Sequence, residues 1–128
     1  MPDETHPAVA YELLDGDAWA LQRMLDEALV PLAVLDAEGV RSLPLFRAEE
    51  AASRHRDALP AEVRDAYAVV ALPGSDPRGK EEFLRAAASL GAVTIDVDPD
   101  LSLHARGRMP LATAISYVTS FRRESACL

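Results

Sequence analysis

The chain holds one cysteine, one lysine and three histidines, and its aromatic residues amount to 5%. Cys127 stands next to the last residue, so it forms no internal disulfide, and its place is wrong for a prenylation box. Residues Met1 to Ala10 lack the basic start and apolar run of a signal peptide. A cytoplasmic protein is the expectation. The aromatics are too few for a surface that stacks single-stranded nucleic acid. No apolar run approaches the roughly 18 residues that cross a bilayer, so no membrane partner is expected. Chemistry-bearing patterns are missing as well. No Cys/His/Asp set has metal spacing, and neither a G-x-S-x-G elbow nor an H-E-x-x-H helix occurs. Of the histidines, His6 lies in the N-terminal arm and His104 in the C-terminal third, and His55, between Arg54 and Arg56, has no nucleophile in sequence context. The expectations are no metal, no cofactor and a protein that leans away from being an enzyme.

What is present suits one compact domain. The chain has 128 residues, 49% of them hydrophobic, enough to bury a core without staples. Its net charge of -8 opposes phosphate backbones, so nucleic acid is not an expected partner. The charge is uneven. Residues 1–50 carry 11 acids and 3 bases, residues 51–100 carry 9 and 6, and residues 101–128 carry 1 and 4. An acidic first half steers basic partners. Asp26, Glu27, Glu38, Glu49 and Glu50 are the residues expected on that acidic partner face. His104, Arg106, Arg108, Arg122 and Arg123 are the candidates for a small positive docking patch.

Patterning suggests residues 1–16 as an irregular arm and 17–128 as a single α/β domain, with α+β the alternative. Asp17 as a cap and apolar residues at helical spacing predict a helix over Ala18–Leu29. Two apolar runs, Val30–Leu35 and Val40–Phe46, separated by Asp36-Ala37-Glu38-Gly39, predict a hairpin. Pro31 and Pro44 confine those strands to edges or bulges. A helix follows over Ala48–Ala58, then a short turn near Leu59–Val63. The unbroken run Tyr67–Leu72 reads as a strand, Lys80–Leu90 as a helix ended by Gly91, and Ala92–Val97 as a strand. That succession predicts a βαβ unit. Pro110 opens a last helix with Leu111, Ala114, Ile115, Val118 and Phe121 on one stripe, a strand over Ala114–Phe121 being the alternative. About four strands in a mixed sheet, with helices packed on it, is the expected architecture.

Two motifs invite chemistry. Gly74-Ser75-Asp76-Pro77-Arg78-Gly79-Lys80 satisfies G-x-x-x-x-G-K between a strand and a helix, the setting of a phosphate-binding loop. Gly74, Arg78, Gly79 and Lys80 are the candidate anion or nucleotide ligands. Glu81 stands where such a loop needs Ser or Thr, Glu82 adds a second repelling carboxylate, and Pro77 removes a donor. The plain reading is a Gly/Pro surface turn. Asp96-Val97-Asp98-Pro99-Asp100, with Ser102 and His104 behind it, alternates carboxylates as oxygen-ligand metal sites do. Leu101 and Gly107 break the calcium-loop template, and a capped turn about Pro99 is the plainer reading.

Leu29-Val30-Pro31-Leu32 after an amphipathic segment, a turn through Asp36 and Gly39, and Leu43-Pro44-Leu45-Phe46-Arg47-Ala48-Glu49-Glu50-Ala51 leading into a helix together resemble the N-terminal domain of SseB-like proteins. The match runs from Ala20 to Ala58, with Arg47 where that family usually has Thr. The resemblance implies a small α/β domain with no established enzymatic chemistry, acting as an adaptor. The leading expectation is therefore a bacterial, non-enzymatic domain working by protein contact, in the manner of adaptor, regulatory or immunity proteins. A homodimer through Tyr117 and Phe121 of the last helix is a further expectation.

Overall fold

The computed structural model describes residues 7–25, 28–35, 39–99 and 107–127; the side chains of 7–9, 25 and 121–127 lie outside that description. Five helices and two sheets make a mixed α and β domain with helices packed on the sheets. One sheet has three strands and the other, which is mixed, has four.

The first helix, α1 (Pro7–Asp15), replaces most of the expected irregular arm. Ala10, Leu13 and Leu14 recur at helical spacing and are buried in the main core, which supplies the burial that a short helix needs. Residues 1–6 lie outside the described residues. Next, the expected helix over Ala18–Leu29 is in fact two strands, β1 (Ala18–Leu25) and β2 (Ala28–Pro31), paired antiparallel. The reason is that β1 is covered on both faces. Ala18 and Ala20 enter the main core while Leu21 enters a second one, flanked by Trp19. Apolar residues at nearly every position satisfy helical spacing as readily as alternation.

The expected hairpin forms between β3 (Val34–Leu35) and β4 (Arg41–Leu45), with Gly39 at φ 82. It is shorter than expected, because Val30 and Pro31 belong to β2. Pro44 lies inside β4, yet it removes no ladder bond. Along that edge of β4, Ser42 faces Val34 of the two-residue β3, and Phe46 exchanges two 2.9 Å backbone bonds with Trp19 of β1. Pro44 occupies the gap between those two partners, where no N–H is required. The Trp19–Phe46 bridge joins the sheets.

The helices α2 (Glu49–Asp57) and α3 (Ala61–Arg64) follow as expected, and β5 (Tyr67–Leu72) has the bounds its apolar run predicts. Then the topology departs from expectation. β5 pairs antiparallel with β1, whereas β6 (Thr94–Val97) pairs parallel with β4 and antiparallel with β7 (Gly107–Pro110). The run strand, α4 (Pro77–Ser89), strand therefore crosses from one sheet to the other and does not close a βαβ unit. Local succession carries no information about which strand is free to accept a neighbour, and β1 claims β5. The orders are β2-β1-β5 and β3-β4-β6-β7. The last element is the helix α5 (Leu111–Cys127), not the alternative strand, and buries Leu111, Ala114 and Val118 beside Phe83, Leu84 and Ala87 of α4.

The second core, Leu21, Leu32, Phe46 and Ala52, abuts His55, whose ring centroid lies 5.3 Å from that of Phe46. Burial holds this imidazole below its ordinary value of 6.5. A base depressed in the folded state contributes stability in full above its unfolded value and loses it as pH falls from that value to the lower folded one. Thermal stability is therefore expected to start dropping as pH falls through 6.5, and less steeply in His55→Leu. Equal slopes in melting scans of the two chains would refute the assignment.

Candidate functional site

The G-x-x-x-x-G-K stretch has a structural explanation residue by residue. Gly74 passes so close to the end of α1 that a Cβ there would lie 2.8 Å from the Asp15 carbonyl oxygen and 3.0 Å from the Gly16 Cα. Its N–H donates to Asp17 Oδ1 at 2.9 Å, so Asp17 secures this turn and caps no helix. Asp76 is the N-cap of α4 and Pro77 its first residue, a favoured pair. The Asp76 carboxylate accepts the Gly79 N–H at 3.0 Å. Arg78, Gly79 and Lys80 thus lie inside the first turn of α4, one turn earlier than expected, and form no loop.

Lys80 turns inward and is 2% exposed. Its ammonium donates to the carbonyl oxygens of Leu13 at 2.8 Å, Leu14 at 3.3 Å and Gly16. The first two are orphan carbonyls of the last turn of α1 and the third follows it, where the helix dipole favours a cation. Burial pushes the ammonium below its ordinary value, while the Asp17 and Asp15 carboxylates pull the other way. Asp15 also accepts the Tyr117 hydroxyl at 2.6 Å, and the Tyr117 ring meets Tyr11 edge-on, with centroids 4.8 Å apart. Tyr117 is thus held within the domain by Asp15 and Tyr11, and the Phe121 side chain lies outside those described.

Glu81 and Glu82 follow Lys80, Glu81 pairing with Arg85 at 2.8 Å and Glu82 with the exposed Arg78 at 3.6 Å. Of the phosphate-loop candidates, Lys80 donates to carbonyls and the Gly79 N–H to Asp76, while Arg78 stays exposed, 3.6 Å from a likewise exposed Glu82.

The alternating aspartates are likewise engaged by arginines. Asp96 accepts a two-pronged contact from Arg108, Nε to Oδ1 at 2.8 Å and Nη2 to Oδ2 at 3.0 Å. Asp98, at φ 45, accepts the Arg47 N–H at 3.0 Å and its Nε at 2.6 Å. Among the described residues no three His, Cys, Asp or Glu side chains gather to hold a metal. Arg108, a candidate for the docking patch, is partly exposed and pairs with Asp96. His104 and Arg106 lie outside the described residues, as do the side chains of Arg122 and Arg123. Of the acidic face, Glu49 and Glu50 are exposed at the start of α2, and Asp26, Glu27 and Glu38 lie outside the described residues.

A cleft of about 510 Å³ opens between α4 and one face of β2-β1-β5. Pairing explains its floor. Gln22 faces Pro31 and Met24 faces Leu29 across the β1–β2 ladder, on the face that also carries Ala18, Ala20 and, from β5, Val70 and Leu72. α4 supplies Phe83 and Ala86 as a wall, with the carboxylates of Asp76 and Glu82 at the rim. Beyond the reach of α4 the face runs out into Met24 and Leu29, 61% and 57% exposed. None of these floor residues was a site candidate, because the segment 18–29 reads as a helix. The two-faced apolar character of β1 is the one sequence signal that points to the right element.

No protein-family model matches this sequence, and no curated protein matches it.

Two substitutions test this assembly. Lys80→Met leaves the buried Leu13 and Leu14 carbonyls and the half-buried Gly16 carbonyl without their donor and is expected to cost roughly 3 kcal/mol in denaturant unfolding. Gly74→Ala meets backbone atoms that cannot swing aside and should cost about 1–3 kcal/mol. Mg²⁺ with ATP, or phosphate alone, should leave the melting temperature unchanged; a rise abolished by Arg78→Ala would restore the anion site.

Proposed function

We propose that this domain acts by protein contact and without chemistry of its own, using the cleft beside α4 to receive a partner segment that combines apolar with basic side chains. The observation that carries the reading is the continuity of the cleft floor with the exposed pair Met24 and Leu29. Contiguous exposed apolar surface on a small domain marks interaction sites, and a polar rim around it is their usual setting. Asp76 and Glu82 give that rim its sign, and a chain of net charge -8 extends the attraction outward. The resemblance to SseB-like N-terminal domains supports the same adaptor role. A cytoplasmic setting suits a chain with a single cysteine, and none of the described helices is long and apolar enough to cross a membrane.

Peptides selected from an unbiased display library against the intact protein should combine large apolar residues with Arg or Lys. Leu29→Arg and Glu82→Arg should each weaken those peptides by about tenfold or more, and raising the salt should weaken them further. Selected peptides without basic residues, or binding indifferent to Leu29→Arg, would overturn the proposal.

A further inference from the structure

The outer edge of β5 is an open ladder. On β1, Trp19 exchanges both its backbone bonds with Phe46, and Leu21 accepts from Leu32, so these odd-numbered residues turn their backbone groups away from β5. The even-numbered residues Ala18, Ala20 and Gln22 therefore bond to Leu72, Val70 and Ala68, which they face in the register. Tyr67, Val69 and Ala71 are left pointing outward, with three N–H and three C=O groups that no hydrogen bond among the described residues engages.

Proteins blunt such edges with charge, proline or brevity. The other three edges have these protections: β2 ends in Pro31, β3 has two residues, and β7 contains Arg108 and Pro110. β5 has none of them. It is six residues long, uncharged and free of proline.

We propose that this edge pairs with the same edge of a second copy, antiparallel about a two-fold axis through Val69. The register follows from geometry. Residues directly opposite one another share a face, so in a symmetric antiparallel pair their numbers differ by an even count. Of the registers allowed, the one centred on Val69 alone sets Tyr67 opposite Ala71, Val69 opposite itself and Ala71 opposite Tyr67, which engages all six outward groups on each copy. It also sets Ala68 opposite Val70, so that a larger side chain meets a smaller one on both faces. The uncharged strip is the place where two chains of net charge -8 approach with least repulsion. The product is one continuous sheet, β2-β1-β5-β5-β1-β2, with both clefts opening on the same face. The pairing does not rest on what the clefts bind, and its test contains no partner peptide, so the failure of one reading leaves the other standing.

Light scattering across a concentration series should show a dimer that tightens as salt rises, because screening relieves the like-charge repulsion. Ala71 is exposed in the monomer, so Ala71→Lys leaves the fold intact and should raise the dissociation constant about tenfold or more. In a Cys127→Ser background, Val69→Cys should cross-link on oxidation, since opposed Cα atoms in a hydrogen-bonded pair stand about 5.5 Å apart. Ala71→Cys should not, its two copies being roughly 13 Å apart along the strands. Amides of Tyr67, Val69 and Ala71 should gain exchange protection as concentration rises. A chain that stays monomeric at millimolar concentration overturns the proposal. So does a dimer that is indifferent to Ala71→Lys and that the Val69→Cys substitution fails to cross-link, and so do β5 amides protected only when an extended peptide is added.

Discussion

The ammonium of Lys80 at the end of α1 is the contact on which the rest of the arrangement depends. It is a charge taken out of water, and what stabilises it there is a set of carbonyl oxygens aligned by a helix dipole, with Asp15 and Asp17 close by. Because Lys80 sits in the first turn of α4, the contact fixes the start of α4 against the end of α1. Gly74 must then pass within van der Waals distance of the same helix end, and Asp76 must start α4 where it does. Tyr117 brings α5 to the same point through Asp15. Three helices and the exit of β5 thus converge on one helix terminus, and the cleft beside α4 inherits its shape from that convergence.

Much of the chain was legible in its residues, for local physical reasons. The run Tyr67–Leu72 has one structural solution at its length, the acid-before-base segment after Phe46 suits a helix dipole, and Gly91 at φ 95 ends α4 as a left-handed glycine should. The segment Ala18–Leu25 was not legible, because a strand between two cores has no polar face to declare its period. The floor of the cleft was hidden with it, since Gln22 comes to lie beside Pro31 and Leu29 only through the β1–β2 register. The partner of each strand was beyond reach for another reason. Pairing β6 with β4 instead of β5 is decided across roughly 50 residues of intervening chain, by which edges are already taken.

The two motifs that looked most like chemistry are accounted for by packing. Each conspicuous charge meets a counter-charge or a dipole: Lys80 at α1, Asp96 at Arg108, Asp98 at Arg47. Bidentate and charge-assisted contacts of this kind tie segments far apart in sequence, here β6 to β7 and the α2 entry to the β6 exit. They also remove those groups from the surface charge a partner would feel. The negative field that reaches a partner comes from exposed carboxylates such as Glu49, Glu50 and Glu82.

Lys80 is the only lysine in the chain, and it is buried. The folded domain accordingly offers no side-chain amine to acylation, to isopeptide tagging or to a lysine-specific protease. Any such modification of Lys80 would have to wait for the end of α1 and the start of α4 to part, so the extent of amine labelling at that residue becomes a direct readout of local opening.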